Sequence, residues 1–142
     1  MNILFVCTGN TCRSPMAEGL FNKIISDKNI DNISCSSAGL FAMTGDEASI
    51  NSVKACERFG VDISKHRARR ITAYILDETD KFICMTKEHA ASLSMYVPSE
   101  KVIVLGNGIS DPYGGDIETY MICANSIKTA LDNQFEEIIT EV

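Results

Sequence analysis

The segment Cys7-Thr8-Gly9-Asn10-Thr11-Cys12-Arg13-Ser14-Pro15 brings a thiol, a guanidinium and a hydroxyl into one short stretch. Gly9 and Asn10 are residue types that tolerate unusual backbone angles. A segment that curls from a strand into a helix aims successive backbone N–H groups inward, forming a nest for a tetrahedral oxyanion. The helix N-terminus adds partial positive charge. The Arg13 guanidinium supplies a planar fork that matches two phosphoryl oxygens. The same field favours Cys7 as thiolate, the nucleophilic form of sulfur, and the Ser14 hydroxyl is placed to hydrogen-bond it. A thiolate beside a phosphate cradle is a nucleophile for phosphoryl transfer. No Gly-Lys-Ser/Thr is present, so the segment is not a Walker loop and does not point to Mg²⁺-dependent nucleotide hydrolysis.

Such chemistry needs an acid for the leaving group. Asp111-Pro112-Tyr113-Gly114-Gly115 is the candidate: Pro112 fixes a turn, and a loop there can lean over the first one. Asp111 would then protonate the leaving group and later activate water. The plainer reading of the same residues is an Asp-Pro turn.

Four short apolar runs are read as the strands that position these loops: Asn2 to Cys7, Ile33 to Ser37, Lys81 to Met85 and Lys101 to Leu105. They show little polar alternation, as expected of strands covered on both faces of a parallel sheet. Helical periodicity lies between them. Ser14 suits an N-cap and Pro15 a first helical position ahead of Ala17, Leu20, Phe21, Ile24 and Ile25. A weaker pattern covers Asp46 to Phe59 and stops at Gly60. A short helix is predicted over Ile71 to Leu76. The last stripe runs Ile117, Tyr120, Ala124, Ile127, Leu131, Phe135 and Ile138. Alternating strands and helices imply an α/β fold, with ligands bound beyond the C-terminal ends of the strands. Gly106-Asn107-Gly108 reads as a turn, since no helix start follows it.

At 142 residues the chain is expected to form a single domain spanning 1–142, with no linker, repeat or low-complexity segment. Lys+Arg 13 against Asp+Glu 19 gives a net charge of -6, which argues against nucleic acid and anionic membranes as partners. No apolar run approaches a membrane span, and the N-terminal run lacks the features of a signal peptide, so a cytoplasmic location is expected. The six cysteines are then expected to be reduced. No Cys-x-x-Cys occurs, and neither a metal nor a cofactor is expected.

Cys7-Thr8-Gly9-Asn10-Thr11-Cys12-Arg13-Ser14-Pro15-Met16-Ala17-Glu18, with Ser37-Ala38-Gly39, His66 and Asp111-Pro112-Tyr113-Gly114-Gly115, resembles the low-molecular-weight protein phosphatases over nearly the whole chain. The resemblance implies a three-layer architecture: a four-stranded parallel sheet, flanking helices and an N-terminal phosphate-binding loop. It also implies a phosphocysteine intermediate, no metal, and phosphorylated proteins as substrates. Cys7 would be the nucleophile, Arg13 the transition-state clamp and Asp111 the general acid and base. Thr8, Gly9, Asn10, Thr11, Cys12, Ser14 and Tyr113 would line the substrate site. Asn10, Ser14, Ser37 and His66 would form the network that holds the loop open. Lys65, Arg67, Arg69 and Arg70 around His66 are read as surface charge.

Two departures bear on the substrate. Tyrosine-directed members of the family usually carry a bulky aliphatic residue where this chain has Thr11, and often a second aromatic where it has Gly114. In this respect the chain looks like the bacterial protein-arginine phosphatases. Thr11 offers a small polar wall to a phosphoguanidinium, and Asp111 could pair with the guanidinium and deliver a proton to its nitrogen. Tyr113 would remain as one aromatic wall. The alternatives are a protein-tyrosine phosphatase of the same fold, an arsenate reductase, and a loop that only binds phosphorylated partners. A reductase needs a relay of resolving thiols, and no cysteine pair offers one. Cys12 has two readings of equal standing: a partner for a reversible disulfide with Cys7, or a small side chain packed under the loop. Cys35, Cys56, Cys84 and Cys123 are read as core.

Overall fold

A computed structural model describes residues 1–142. Strands β1 (Asn2–Cys7), β2 (Ser34–Gly39), β3 (Lys81–Cys84) and β4 (Val102–Val104) form one parallel sheet in the order β2-β1-β3-β4. The central strand carries the site. Ile3 to Cys7 are all buried, and Cys7 stands in register with Gly39 of β2.

Alternation along β1 sends its side chains to two cores. Ile3, Phe5 and Cys7 join the larger cluster, with α1 (Arg13–Asp27), α2 (Ile50–Glu57), α5 (Ile117–Asn133) and α6 (Phe135–Ile139). Phe5 meets Phe21 edge-on, with ring centroids 5.6 Å apart. Leu4 and Val6 join the smaller cluster on the opposite face, with Phe82, Cys84 and Leu93, under α3 (Ala73–Glu78) and α4 (Lys87–Leu93). Helices on both faces make the three layers expected of a buried parallel sheet.

The structure corrects several expected boundaries. Helix α1 begins at Arg13 with Cys12 at its N-cap, so neither Ser14 nor Pro15 holds its expected place. The reason is that the Ser14 hydroxyl is taken up by the Cys7 sulfur rather than by the helix end. Helix α2 occupies only the later part of the expected span, because Ser49 caps it by accepting from the Ser52 N–H. Helix α3 starts after Ile71, behind a Thr72 cap. The final stripe is broken at Gln134, whose side chain accepts from the Gly106 N–H and donates to the Val104 carbonyl at the end of β4. Phe135 and Ile138 stay buried past the break. Helix α4 was not expected from the sequence. It buries only His89 and Leu93, too few residues for a periodic signal.

Gly39 explains how β2 can lie against the first loop. A Cβ at this position would stand 2.4 Å from the Thr8 carbonyl oxygen and 3.0 Å from the Asn10 nitrogen. Backbone cannot yield as a side-chain tip can. Gly39→Ala is therefore expected to lower the unfolding free energy by about 1–3 kcal/mol, measured by urea denaturation. An unchanged midpoint would show that the two segments have room to separate.

Candidate active site

The loop between β1 and α1 is organised by one residue. Asn10 is fully buried and sits at φ 57, in the left-handed region that asparagine enters more readily than most residues. Its Oδ1 accepts the Arg69 backbone N–H at 2.9 Å. That contact fixes the amide orientation, because the partner can only donate. Nδ2 then donates to Ser14 Oγ at 2.8 Å and to Ser37 Oγ at 3.0 Å. The Asn10 carbonyl accepts from His66 Nε2 at 2.8 Å. The Ser37 hydroxyl in turn donates to Glu18 Oε1 at 2.6 Å.

The direction of this chain decides the role of the sulfur. Ser14 Oγ accepts from Asn10, so its hydroxyl proton is free to point at Cys7 Sγ, 2.8 Å away. The Asn10 N–H donates to the same sulfur at 3.3 Å. The buried sulfur thus accepts from two converging donors. Cys7 ends β1 and is 3 % exposed. Helix α1, which starts beside it, has no side-chain cap on its first N–H groups.

Arg13 is buried at the start of α1. Its Nη1 donates to the Ile109 carbonyl at 2.9 Å, and its Nη2 lies 3.6 Å from Asp111 Oδ2. These contacts bring the loop after β4 to the first loop, as the sequence suggested. The Asp111 side chain is half exposed, and its Oδ1 accepts the Tyr113 N–H at 3.0 Å. Gly114, at φ 81, turns the chain behind it. Tyr113 stands 81 % exposed.

The remaining residues singled out in the sequence fall as follows. Thr8 is exposed, and its hydroxyl meets His89 Nε2 at 2.8 Å. Gly9 is next to Thr11, whose Oγ1 would lie 3.7 Å from a Cβ at residue 9. Thr11 is half-buried, and its carbonyl accepts the Ser49 N–H at 2.9 Å. Cys12 is buried, and its sulfur lies 3.5 Å from Ser49 Oγ and 3.4 Å from Tyr120 Oη.

Three features were missed in the sequence. Arg69 is not merely surface charge: its N–H holds Asn10, and its guanidinium reaches the Ser37 carbonyl at 3.2 Å and Ser36 Oγ at 3.1 Å. Phe41 is 68 % exposed beside the loop, with its N–H on the Thr8 carbonyl at 3.0 Å and the Arg70 guanidinium 5.9 Å from its ring centroid. His89 is buried. The Thr-x-x-His spacing of a capped helix start is the only trace these contacts leave in the sequence.

The cysteines outside the loop are poor nucleophiles. Burial pushes the Cys56, Cys84 and Cys123 thiols up to about 12. Burial, followed by the nearby Glu18, pushes Cys35 higher still, although Cys35 is only partly covered and not the core residue expected. No helix is long and apolar enough to cross a membrane.

Comparison with known proteins places the geometry in context. A family model described as low molecular weight phosphotyrosine protein phosphatase matches residues 2–142. The chain is 33% identical over 148 residues to a protein-arginine-phosphatase of Geobacillus stearothermophilus, covering 98% of this chain and 97% of that one. It is 34% identical over 121 residues to a low molecular weight protein-tyrosine-phosphatase of Acinetobacter johnsonii, covering 81% and 82%. The crystal structure of a low molecular weight protein tyrosine phosphatase from T. tengcongensis superposes with a TM-score of 0.90 at 36% identity, over 96% of this chain and 99% of that one.

Asn10→Ala strips partners from the Arg69 N–H, Ser14 and Ser37 at once. It is expected to cost at least about 1–3 kcal/mol of stability. Chemical denaturation measures this, and a loss below about 0.5 kcal/mol would mean that water replaces the amide.

Proposed function

The chain belongs to the low molecular weight phosphotyrosine protein phosphatase family, and from that premise we propose that it hydrolyses phosphoarginine in proteins through a phosphocysteine intermediate. Residues 1–142 act as one catalytic domain. The observation that carries the chemistry is the directed chain from Asn10 through Ser14 to Cys7 Sγ, which leaves the sulfur as an acceptor.

In the first step the Cys7 thiolate attacks phosphorus. The S–P bond forms and the P–N bond to the guanidino group breaks. Asp111, in its acid form, gives its proton to the leaving nitrogen. The loop N–H groups and Arg13 hold the three phosphoryl oxygens, whose charge is greatest in the transition state. In the second step Asp111, now a carboxylate, takes a proton from water as the water oxygen attacks phosphorus. The S–P bond breaks, inorganic phosphate leaves, and the Ser14 hydroxyl stabilises the departing thiolate. Ser37 and His66 act on Asn10 and so keep the loop in shape.

Preference for arginine rests on the groups around this centre. Thr11 presents a short polar side chain, Asp111 adds an anion for a cationic leaving group, and Tyr113 and Phe41 supply exposed aromatic faces. The arginine-phosphatase relative supports this reading. The tyrosine phosphatase relative keeps phosphotyrosine as the competing substrate. Arsenate reduction is disfavoured, because burial keeps the thiols of Cys84 and Cys123 protonated. A catalytic thiol also suits the reducing cytoplasm.

The test is a paired assay on phosphoarginine and phosphotyrosine peptides. Wild type should favour phosphoarginine. Thr11→Ile should lower that preference about tenfold or more, and parallel losses on both substrates would remove the specificity argument. Asp111→Asn should reduce kcat by about 10²–10⁴. Cys7→Ser should bind inorganic phosphate without turnover, and wild-type enzyme quenched in mid-reaction should carry phosphorus on Cys7.

A further inference from the structure

His89 is a buried histidine to which the mechanism above gives no task. It lies at the third position of α4, whose N-cap is Thr86. Thr86 Oγ1 accepts the His89 N–H at 3.2 Å and contacts His89 Nδ1 at 2.9 Å. The ring is thus anchored at one nitrogen to a helix cap that closes the end of β3. Its other nitrogen, Nε2, meets the Thr8 hydroxyl at 2.8 Å. Thr8 directly follows the nucleophile, and its carbonyl is the backbone atom that Gly39 approaches and Phe41 binds.

We propose that His89 is a positioning residue of the phosphate loop, bridging Thr86 and Thr8 so that the first loop residue is held from the β3–α4 side while Asn10 is held from the β2 side. This rests on the phosphatase reading of the site. A neutral imidazole donates at one nitrogen and accepts at the other, which suits two hydroxyls that can each do either. Burial and the nearby Arg13 charge hold the ring below the ordinary histidine range, against the opposing pull of Glu88 and Asp111. Without the bridge, the Thr8 backbone would still be held at its carbonyl by the Phe41 N–H, but the exposed Thr8 side chain would be free to turn.

Two isosteric substitutions separate positioning from simple stability. His89→Gln places an amide where Nε2 was and keeps a partner for Thr8. His89→Asn places one near Nδ1, keeping Thr86 but falling short of Thr8. On an aryl phosphate, His89→Asn is expected to lose about tenfold in kcat/KM, carried mainly by kcat, while His89→Gln stays within about threefold of wild type. In a double-mutant cycle, Thr8→Val alone should lose activity comparably to His89→Asn, and the two losses should not add. The inference is overturned if Asn and Gln behave alike, or if the losses in the two variants simply follow their melting temperatures. Wild-type turnover in the same assay separates the two claims: an inactive wild type refutes the phosphatase reading, whereas an active one with an unaffected His89→Asn refutes only the bridge.

Discussion

The site depends on a single buried amide whose every polar atom is committed. Asn10 Oδ1 accepts a hydrogen bond from the Arg69 backbone N–H, its Nδ2 donates to Ser14 and Ser37, and its carbonyl accepts from His66. Because the Arg69 N–H can only donate, the sense of the whole chain is set. The sulfur at its end receives hydrogen bonds and has no need to give one. An unmet partner in such a dry network would be costly, and none of its side-chain N or O atoms is left without one. Left-handed geometry at residue 10 turns both the amide and the backbone N–H to the places where they are needed.

Around this hub the fold supplies walls from three directions. Strand β2 brings Ser37 and Gly39, the segment before α3 brings His66 and Arg69, and the loop after β4 brings Asp111. The loops meet at the C-terminal end of the sheet, where Ser37 and Gly39 close β2, as a parallel topology with crossover helices requires. Gly39 matters here because of what it lacks: the absence of a Cβ allows a strand end to rest on the Thr8 carbonyl. The two aromatic side chains at the rim, Phe41 and Tyr113, leave their rings in water and add nothing to the core.

The Cys7–Pro15 loop was legible because its residue types carry their own chemistry in a contiguous run, and β1 was legible because it is apolar from Ile3 to Cys7. The sheet and the acid loop followed from the same patterns. Helix boundaries were less accessible. Ser14 looks like a cap by type, yet tertiary demand from the sulfur overrides that local preference. Helix α4 is short and half polar, so periodicity had nothing to register. Arg69 sits in a basic run that reads as solvated, and its decisive group is a backbone N–H, which every residue but proline has. His89 needs two hydroxyls distant in sequence from one another, a relation that no local pattern contains.

The contacts that shape the loop join residue 10 to residues 37, 66 and 69, far along the chain. During synthesis, the first strand and the cysteine emerge long before these partners do. A ribosome-bound fragment ending short of Arg69 therefore carries Cys7 but not the backbone N–H that orients Asn10. The shape of this loop is consequently a late product of folding, gained only after non-local pairing has closed around residue 10.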